Sequence, residues 1–140
     1  MKITQLSIFV ENKPGHIIAP FRLLADARVN IRALSLSDTQ RFGILRMIVS
    51  DSEAAARALE EAGFAVKLTE VVAIEVPDQP GGLAAAVAAL EGTAINIEYM
   101  YALPFARGEN AVLIFRFDNP DAAIARFQQL GMSLVARQQL

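Results

Sequence analysis

The stretch "NKPGHIIAPFRLLADARVNI", residues 12–31, returns 66 residues later as "DQPGGLAAAVAALEGTAINI", residues 78–97. Residues 12–34 lie over 78–100 without a gap: Pro14 meets Pro80, Gly15 meets Gly81, Ala19 meets Ala85, Leu24 meets Leu90, and Asn30–Ile31 meets Asn96–Ile97. Farther on the offset becomes 68, so the second copy carries two added residues. There Leu45 meets Leu113, Ala54 and Ala55 meet Ala122 and Ala123, and Gly63 meets Gly131. A repeat has to be recognised before a fold is assigned, and this one is a duplication with units of about 70 residues. Two domains are expected, residues 1–69 and 70–140.

Each unit reads in the same order. "ITQLSIFV" alternates, with Leu6, Ile8 and Val10 on one face, which is the period of a strand. The Asn12–Gly15 turn follows, with Asn12 a candidate N-cap and proline tolerated in a first helical turn. Ile17, Phe21 and Leu24 form one helical stripe, and Leu83, Val87 and Leu90 repeat its spacing. "NIRALSLS" and "GILRMIVS" predict two strands joined by the turn "DTQRF". In the second of them Leu45, Met47 and Val49 share a face, as do Leu113, Phe115 and Phe117. "DSEAAARALEEAG" predicts a short helix ending at Gly63, and "FAVKL" the last strand. The order is βαββαβ, twice. It implies an α+β fold of two ferredoxin-like repeats, each an antiparallel sheet of order 4-1-3-2 with both helices on one face. That arrangement hosts many unrelated functions, so function must come from the site.

Composition removes several classes. The hydrophobic share is 54% and the mean hydropathy +0.35, enough material for a core. No apolar run approaches the roughly 20 residues of a spanning helix. Glu11, Asn12 and Lys13 interrupt the N-terminal apolar stretch where a signal peptide would continue. With no cysteine there is no disulfide, thiolate nucleophile or cysteine-based metal site, and a cytoplasmic address is expected. The single histidine, His16, excludes a multi-histidine metal centre. No cofactor is called for. Net charge is −2 with both signs scattered, which speaks against a nucleic-acid partner.

The repeated turn carries the chemistry. Gly15 and Gly81 lack a Cβ, so another group can approach the backbone closely. The turn leads into a helix N-terminus, where free N–H groups and the helix dipole favour an anion such as a carboxylate. Asn12 or Asp78 adds a side-chain contact to a carboxylate or an ammonium. The same residues would also serve merely to cap the helix and turn the chain.

Strand, Asn/Asp-x-Pro-Gly-x-apolar, helix, and then "VNI" or "INI" opening the next strand resembles the ACT domain, a regulatory amino-acid-binding module. The resemblance covers the whole chain, one module per repeat, as in small proteins made of two tandem ACT domains. In the ACT domain of phosphoglycerate dehydrogenase, serine is held between two modules by an Asn in the Pro-Gly turn and an Asn opening the second strand. Their spacing is that of Asn12 and Asn30, while copy two has Asp78 and Asn96. That enzyme also has a ligand-binding histidine two places before its turn Asn, where this chain has Val10 and Val76. Serine itself is therefore not implied, but backbone recognition of the amino-acid group is. The resemblance implies a non-catalytic sensor or carrier of a free amino acid, with Asn12, Pro14, Gly15, Ile17 and Asn30 at one site. Asp78, Gly81, Gly82, Leu83 and Asn96 would form the other.

Three further residues are candidates on their own chemistry. His16, beside the glycine, could reach a ligand carboxylate or stand solvated at the helix start. Tyr99 and Tyr101, where copy one has Ala33 and Ser35, could wall a pocket or pack at an interface. With Ile17, Leu83, Tyr99 and Met100 as lining, the ligand side chain is expected to be apolar, aromatic or imidazole. Asp118, Asp121 and Glu53 read as caps matched to helix dipoles.

Other classes are weaker. An enzyme needs a nucleophile–base pair, a metal set or poised carboxylates, and none stands at a recognisable spacing. An isomerase or mutase using Asp78 or a tyrosine, or an interaction module with a vestigial pocket, are the alternatives. An RNA-recognition module shares βαββαβ, but Ile44, Leu45 and Met47 stand where its stacking rings belong.

The junction bears on assembly. Strand four of copy one is expected to end near Leu68 and strand one of copy two to begin near Glu70. Were the two copies of one chain joined along their second strands, these strands would lie about 29 Å apart at ~4.8 Å per strand. Two linking residues span about 7 Å. Sites along second-strand edges must then form between chains, so a homodimer is expected. Small units that bury little surface alone favour the same outcome. No catalytic or DNA-binding domain is visible in the chain, so a separate target enzyme or regulator is expected.

Overall fold

The structure is a computed structural model that describes residues 1–38, 40–103 and 108–140. Its elements are β1 (Ile3–Glu11), α1 (Ile18–Asp26), β2 (Ile31–Asp38), β3 (Phe42–Val49), α2 (Ser52–Glu61) and β4 (Val66–Pro77). Then come α3 (Gly82–Ala88), β5 (Ile97–Ala102), β6 (Asn110–Phe117), α4 (Pro120–Gln129), β7 (Ser133–Val135) and a 3₁₀ turn at Arg137–Gln139. The predicted turn "DTQRF" includes Thr39, which lies outside the described residues. No described helix is long and apolar enough to cross a membrane.

The chain forms two compact units, Thr4–Thr69 and Glu70–Leu140, the second including Met1–Ile3. Strand order is β2-β3-β1-β4 in the first and β5-β6-β4-β7 in the second, the predicted 4-1-3-2 in each. The two strands predicted to flank the junction are one strand, β4. The reason is local. Residues 66–76, "VKLTEVVAIEV", are rich in β-branched side chains and contain no glycine, proline, asparagine or aspartate to start a turn.

Register sets the core of each unit. In the first, Leu6 pairs with Met47 and Ile8 with Leu45, while Leu34 and Leu36 pair with the same two β3 residues from the other side. These β1 and β3 side chains meet Leu24, Ala55 and Leu59 from the helices in one buried cluster. In the second unit Val72 pairs with Phe115 and Ile74 with Leu113, and Phe117 and Phe127 complete the cluster. The rings of Phe115 and Phe117 stack at 5.3 Å. Three positions thus change from Met47, Val49 and Leu59 to phenylalanine. The facing helix compensates, since Phe21 and Leu23 of α1 become Val87 of α3 and Ala89 at its C-cap. Volume is conserved across the layers. For the same reason the stripe Leu83, Val87, Leu90 is only partly inward. Leu83 and Val87 are exposed, and Gly82, Ala86, Ala89 and Leu90 are buried. The Arg126 Nε–H donates to the Ala89 carbonyl at 2.8 Å, tying α4 to the end of α3.

Helix starts differ from expectation at two places. Asn12 is not an N-cap, because α1 begins only at Ile18, with Ile17 at the cap position and no side-chain cap bond. Asp118 is not a helix cap either. Its Oδ1 accepts from the Asn96 N–H at 2.9 Å. The caps are Asp51, accepting from the Ala54 N–H at 3.0 Å, and Asn119, accepting from the Ala122 N–H at 3.1 Å. Glu53 and Asp121 stand in first turns as expected.

Candidate functional site

The duplication extends to the hydrogen bonds of the turn. The Asn12 N–H donates to the Arg41 carbonyl at 3.0 Å, and the Asp78 N–H to the Glu109 carbonyl at 2.9 Å. The Lys13 and Gln79 N–H groups donate to the Glu11 and Pro77 carbonyls, both at 2.9 Å. Gly15 and Gly81 have φ of 82° and 89°, the left-handed region that glycine enters without a Cβ clash. A Cβ at either would meet nothing within 4 Å. Conformation, not crowding, demands glycine here, and the space beside it stays open.

The next position separates the copies. A Cβ at Gly82 would collide with the Pro77 carbonyl, and the counterpart of Gly82 is His16. Consistently, α3 starts at Gly82 itself, whereas α1 starts two places later in the repeat.

Around the first turn lies a pocket of about 250 Å³, walled by Asn12, Pro14, Gly15 and Ile17 and floored by Val10 and Leu36. Gly43 makes that floor possible. A Cβ there would come within 3.0 Å of Leu36 Cδ1 and 3.3 Å of Val10 Cγ2. Gly15 and Ile17 line the pocket, and among the described residues no hydrogen bond is made by their N–H groups. His16 lines an adjoining groove of about 460 Å³ with Phe9, Phe42 and Phe64, which shares Val10, Glu11 and Gly15 with the pocket. Its Nδ1 is 4.0 Å from Glu11 Oε2, an ion pair only when the imidazole is protonated. Glu11 also receives a hydrogen bond from Lys13 at 3.0 Å, which holds its carboxyl below the ordinary range. In copy two the corresponding groove, about 410 Å³, contains Gly81, Gly82, Glu75 and Met132.

Asn30 is not near Asn12 in its own unit. Val10 and Asp38 both sit opposite Gly43, at the turn end of the sheet, while Ile31 sits opposite Val49. The length of β2 between them is roughly 23 Å. Asn30 is instead anchored by its backbone: its N–H donates to Ser50 Oγ at 2.9 Å and its carbonyl accepts from the Ser50 N–H at 2.9 Å. Asn96 repeats this with Asp118, whose N–H donates back at 3.1 Å. Ser50 and Asp118 are supporting residues that motif reading missed; the signal was present, since they are 68 apart and both can accept.

Copy two also divides its candidates. Tyr99 pairs with Arg116 and Tyr101 with Ile114, whereas Met100 pairs with Phe115 and packs on the helix-side core. Adjacent strand residues point to opposite faces, so Tyr99 and Met100 cannot line one wall. Leu83 is exposed in the first turn of α3. Among the described residues no cluster of three His, Cys, Asp or Glu could hold a metal ion.

The chain that carries this left-handed glycine turn in two βαββαβ units matches the ACT domain pair family over residues 1–140. The chain belongs to that family. This ACT domain pair is similar over nearly its whole length to a protein from Bacteroides thetaiotaomicron of known crystal structure. The two are 39% identical with a TM-score of 0.92, covering 99% of this chain and 95% of that one. Its fold is shared by the regulatory subunit of aspartate kinase from Thermus thermophilus in its ligand-free form. There the identity is 19% and the TM-score 0.66, over 90% of this chain and 91% of that one. The corresponding subunit from Thermus flavus gives 19% and 0.63, over 90% of each. None of the curated proteins compared with the ACT domain pair matches it.

Proposed function

We propose that this ACT domain pair is a non-catalytic sensor that binds a free α-amino acid at its Pro-Gly turn and signals occupancy to a separate protein. The observation that carries the reading is the first-turn pocket, lined by Asn12, by Gly15 and Ile17 with their N–H groups unbonded, and by the apolar Val10 and Leu36. The ligand carboxylate meets the N–H groups, and its side chain lies on Val10, Ile17 and Leu36. At about 250 Å³ the pocket is smaller than sites for drug-sized ligands, which favours an amino acid over a nucleotide.

The functional modules in this reading are residues 1–69 and 70–140, and the setting is the cytoplasm. Recognition by two asparagines needs two modules, because one module holds Asn12 and Asn30 at opposite ends of β2. Two β2 edges set antiparallel, from two chains, bring the Asn12 end of one beside the Asn30 end of the other. The edge suits such pairing, since Leu34 and Leu36 are 41% and 56% exposed. A homodimer is therefore part of the proposal.

Calorimetry and melting with each of the twenty amino acids test it. At 100 times Kd the stabilisation is about 2.7 kcal/mol, a shift of several degrees for a chain of this size. Flat melting curves for every amino acid at millimolar concentration would overturn the reading.

A further inference from the structure

The two turns share one backbone pattern and differ in charge. Lys13 and Arg41 border the first turn; at the same repeat positions the second has Gln79 and Glu109, and Asn12 becomes Asp78. The match is structural, because Asn12 bonds to the Arg41 carbonyl as Asp78 bonds to the Glu109 carbonyl. Acids are present at the first turn too, but Glu11 is paired with Lys13 at 3.0 Å, and Asp38 is offset by Arg41 in formal charge. Among the described residues from Glu75 to Leu83 and from Gly108 to Asn110, none is cationic, while Glu75, Asp78 and Glu109 are acidic; Arg107, two positions before Glu109 in the sequence, lies outside the described residues. Glu75 accepts a hydrogen bond from Asn110 Nδ2 at 3.0 Å, which leaves its charge in place. The floor differs as well. Gly43, opposite Val10 and close under Leu36, becomes Ala111, opposite Val76.

We infer that the chain takes one amino acid, at the first turn, and that Asp78 and Glu109 exclude an α-carboxylate from the second. The inference rests on the proposed function and deepens it by assigning the site and its specificity determinants. A carboxylate seated beside Gly81 would adjoin Asp78. Even under bulk-water screening, one like charge at about 4 Å weakens binding roughly 5-fold, and a partly enclosed site strengthens the effect. The second turn keeps the hydrogen-bond pattern of a site and the charge of a site that refuses the ligand.

The test uses the full chain, ¹⁵N-labelled, titrated in turn with L-isoleucine, L-phenylalanine, L-histidine and then the remaining proteinogenic amino acids. Calorimetry should give one bound molecule per chain, and amide shifts should move at Gly15, Ile17 and Gly43 but not at Gly81 and Gly82. Asn12→Asp should weaken that binding by about 10-fold or more. Asp78→Asn combined with Glu109→Arg should raise the stoichiometry to two, with Gly81 now responding. Two molecules per wild-type chain, or a double variant that still takes one, would overturn the inference while leaving the sensor reading intact. Binding of no amino acid to the wild type would overturn both.

Discussion

Gly15 holds φ of 82° with no atom near enough to crowd a side chain, so its replacement separates backbone strain from steric block. Gly15→Ala is expected to cost about 1–2 kcal/mol of stability, the penalty of a left-handed L-residue. Gly82→Ala should cost at least as much for a different reason, collision with the Pro77 carbonyl. Chemical denaturation of both variants checks the pair. Asn12→Ala tests role rather than strain. Since Asn12 caps no helix, the variant should stay within about 0.5 kcal/mol of wild type, as an exposed substitution does. Amino-acid affinity should fall roughly 5- to 150-fold, the loss of one hydrogen bond to a charged group. A melted variant that binds normally would return Asn12 to a structural role. At this scale the turn, its glycines and its apolar neighbours were legible in the sequence. The misplaced cap came from reading Pro14 as the first-turn proline. Pro20 is the one inside the first turn of α1, where its missing N–H costs nothing.

Among elements, alternation identified the strands and alanine-rich amphipathic runs the helices, because each period maps directly onto a buried face. What periodicity missed was set by volume. Phe115, Phe117 and Phe127 fill the second core so completely that α3 turns its small residues inward and leaves Leu83 and Val87 outside. No single helix states its neighbour's size. Phe127→Ala should therefore destabilise by about 3–5 kcal/mol, because the inward positions of α3, Gly82 and Ala86, are too small to close the cavity. The caps predict a smaller scale. Asp51→Ala and Asn119→Ala should each cost about 1 kcal/mol, additively, being in separate units. The Asn30–Ser50 and Asn96–Asp118 bonds escaped motif reading since each joins residues distant in sequence, 20 and 22 positions apart.

At the scale of the whole molecule, an edge strand with exposed leucines invites a second edge, and lysine is the residue that refuses it. Leu36→Lys on β2 is expected to shift light scattering at micromolar concentration from dimer to monomer. It should abolish amino-acid binding with little change in circular dichroism, since Leu36 is 56% exposed. A wild-type monomer that still binds amino acid would mean that the asparagine pair is not completed through β2.

The strand Val66–Pro77 runs from one repeat into the next without a break. A cut at Thr69–Glu70 would divide the repeats by sequence yet leave each holding part of a broken strand. Neither half has a clean end at which to fray, so melting of one removes support from the other along a shared backbone. Scanning calorimetry should show one endotherm, with equal calorimetric and van't Hoff enthalpies, in place of two. Two repeats of sequence would then melt as a single cooperative object.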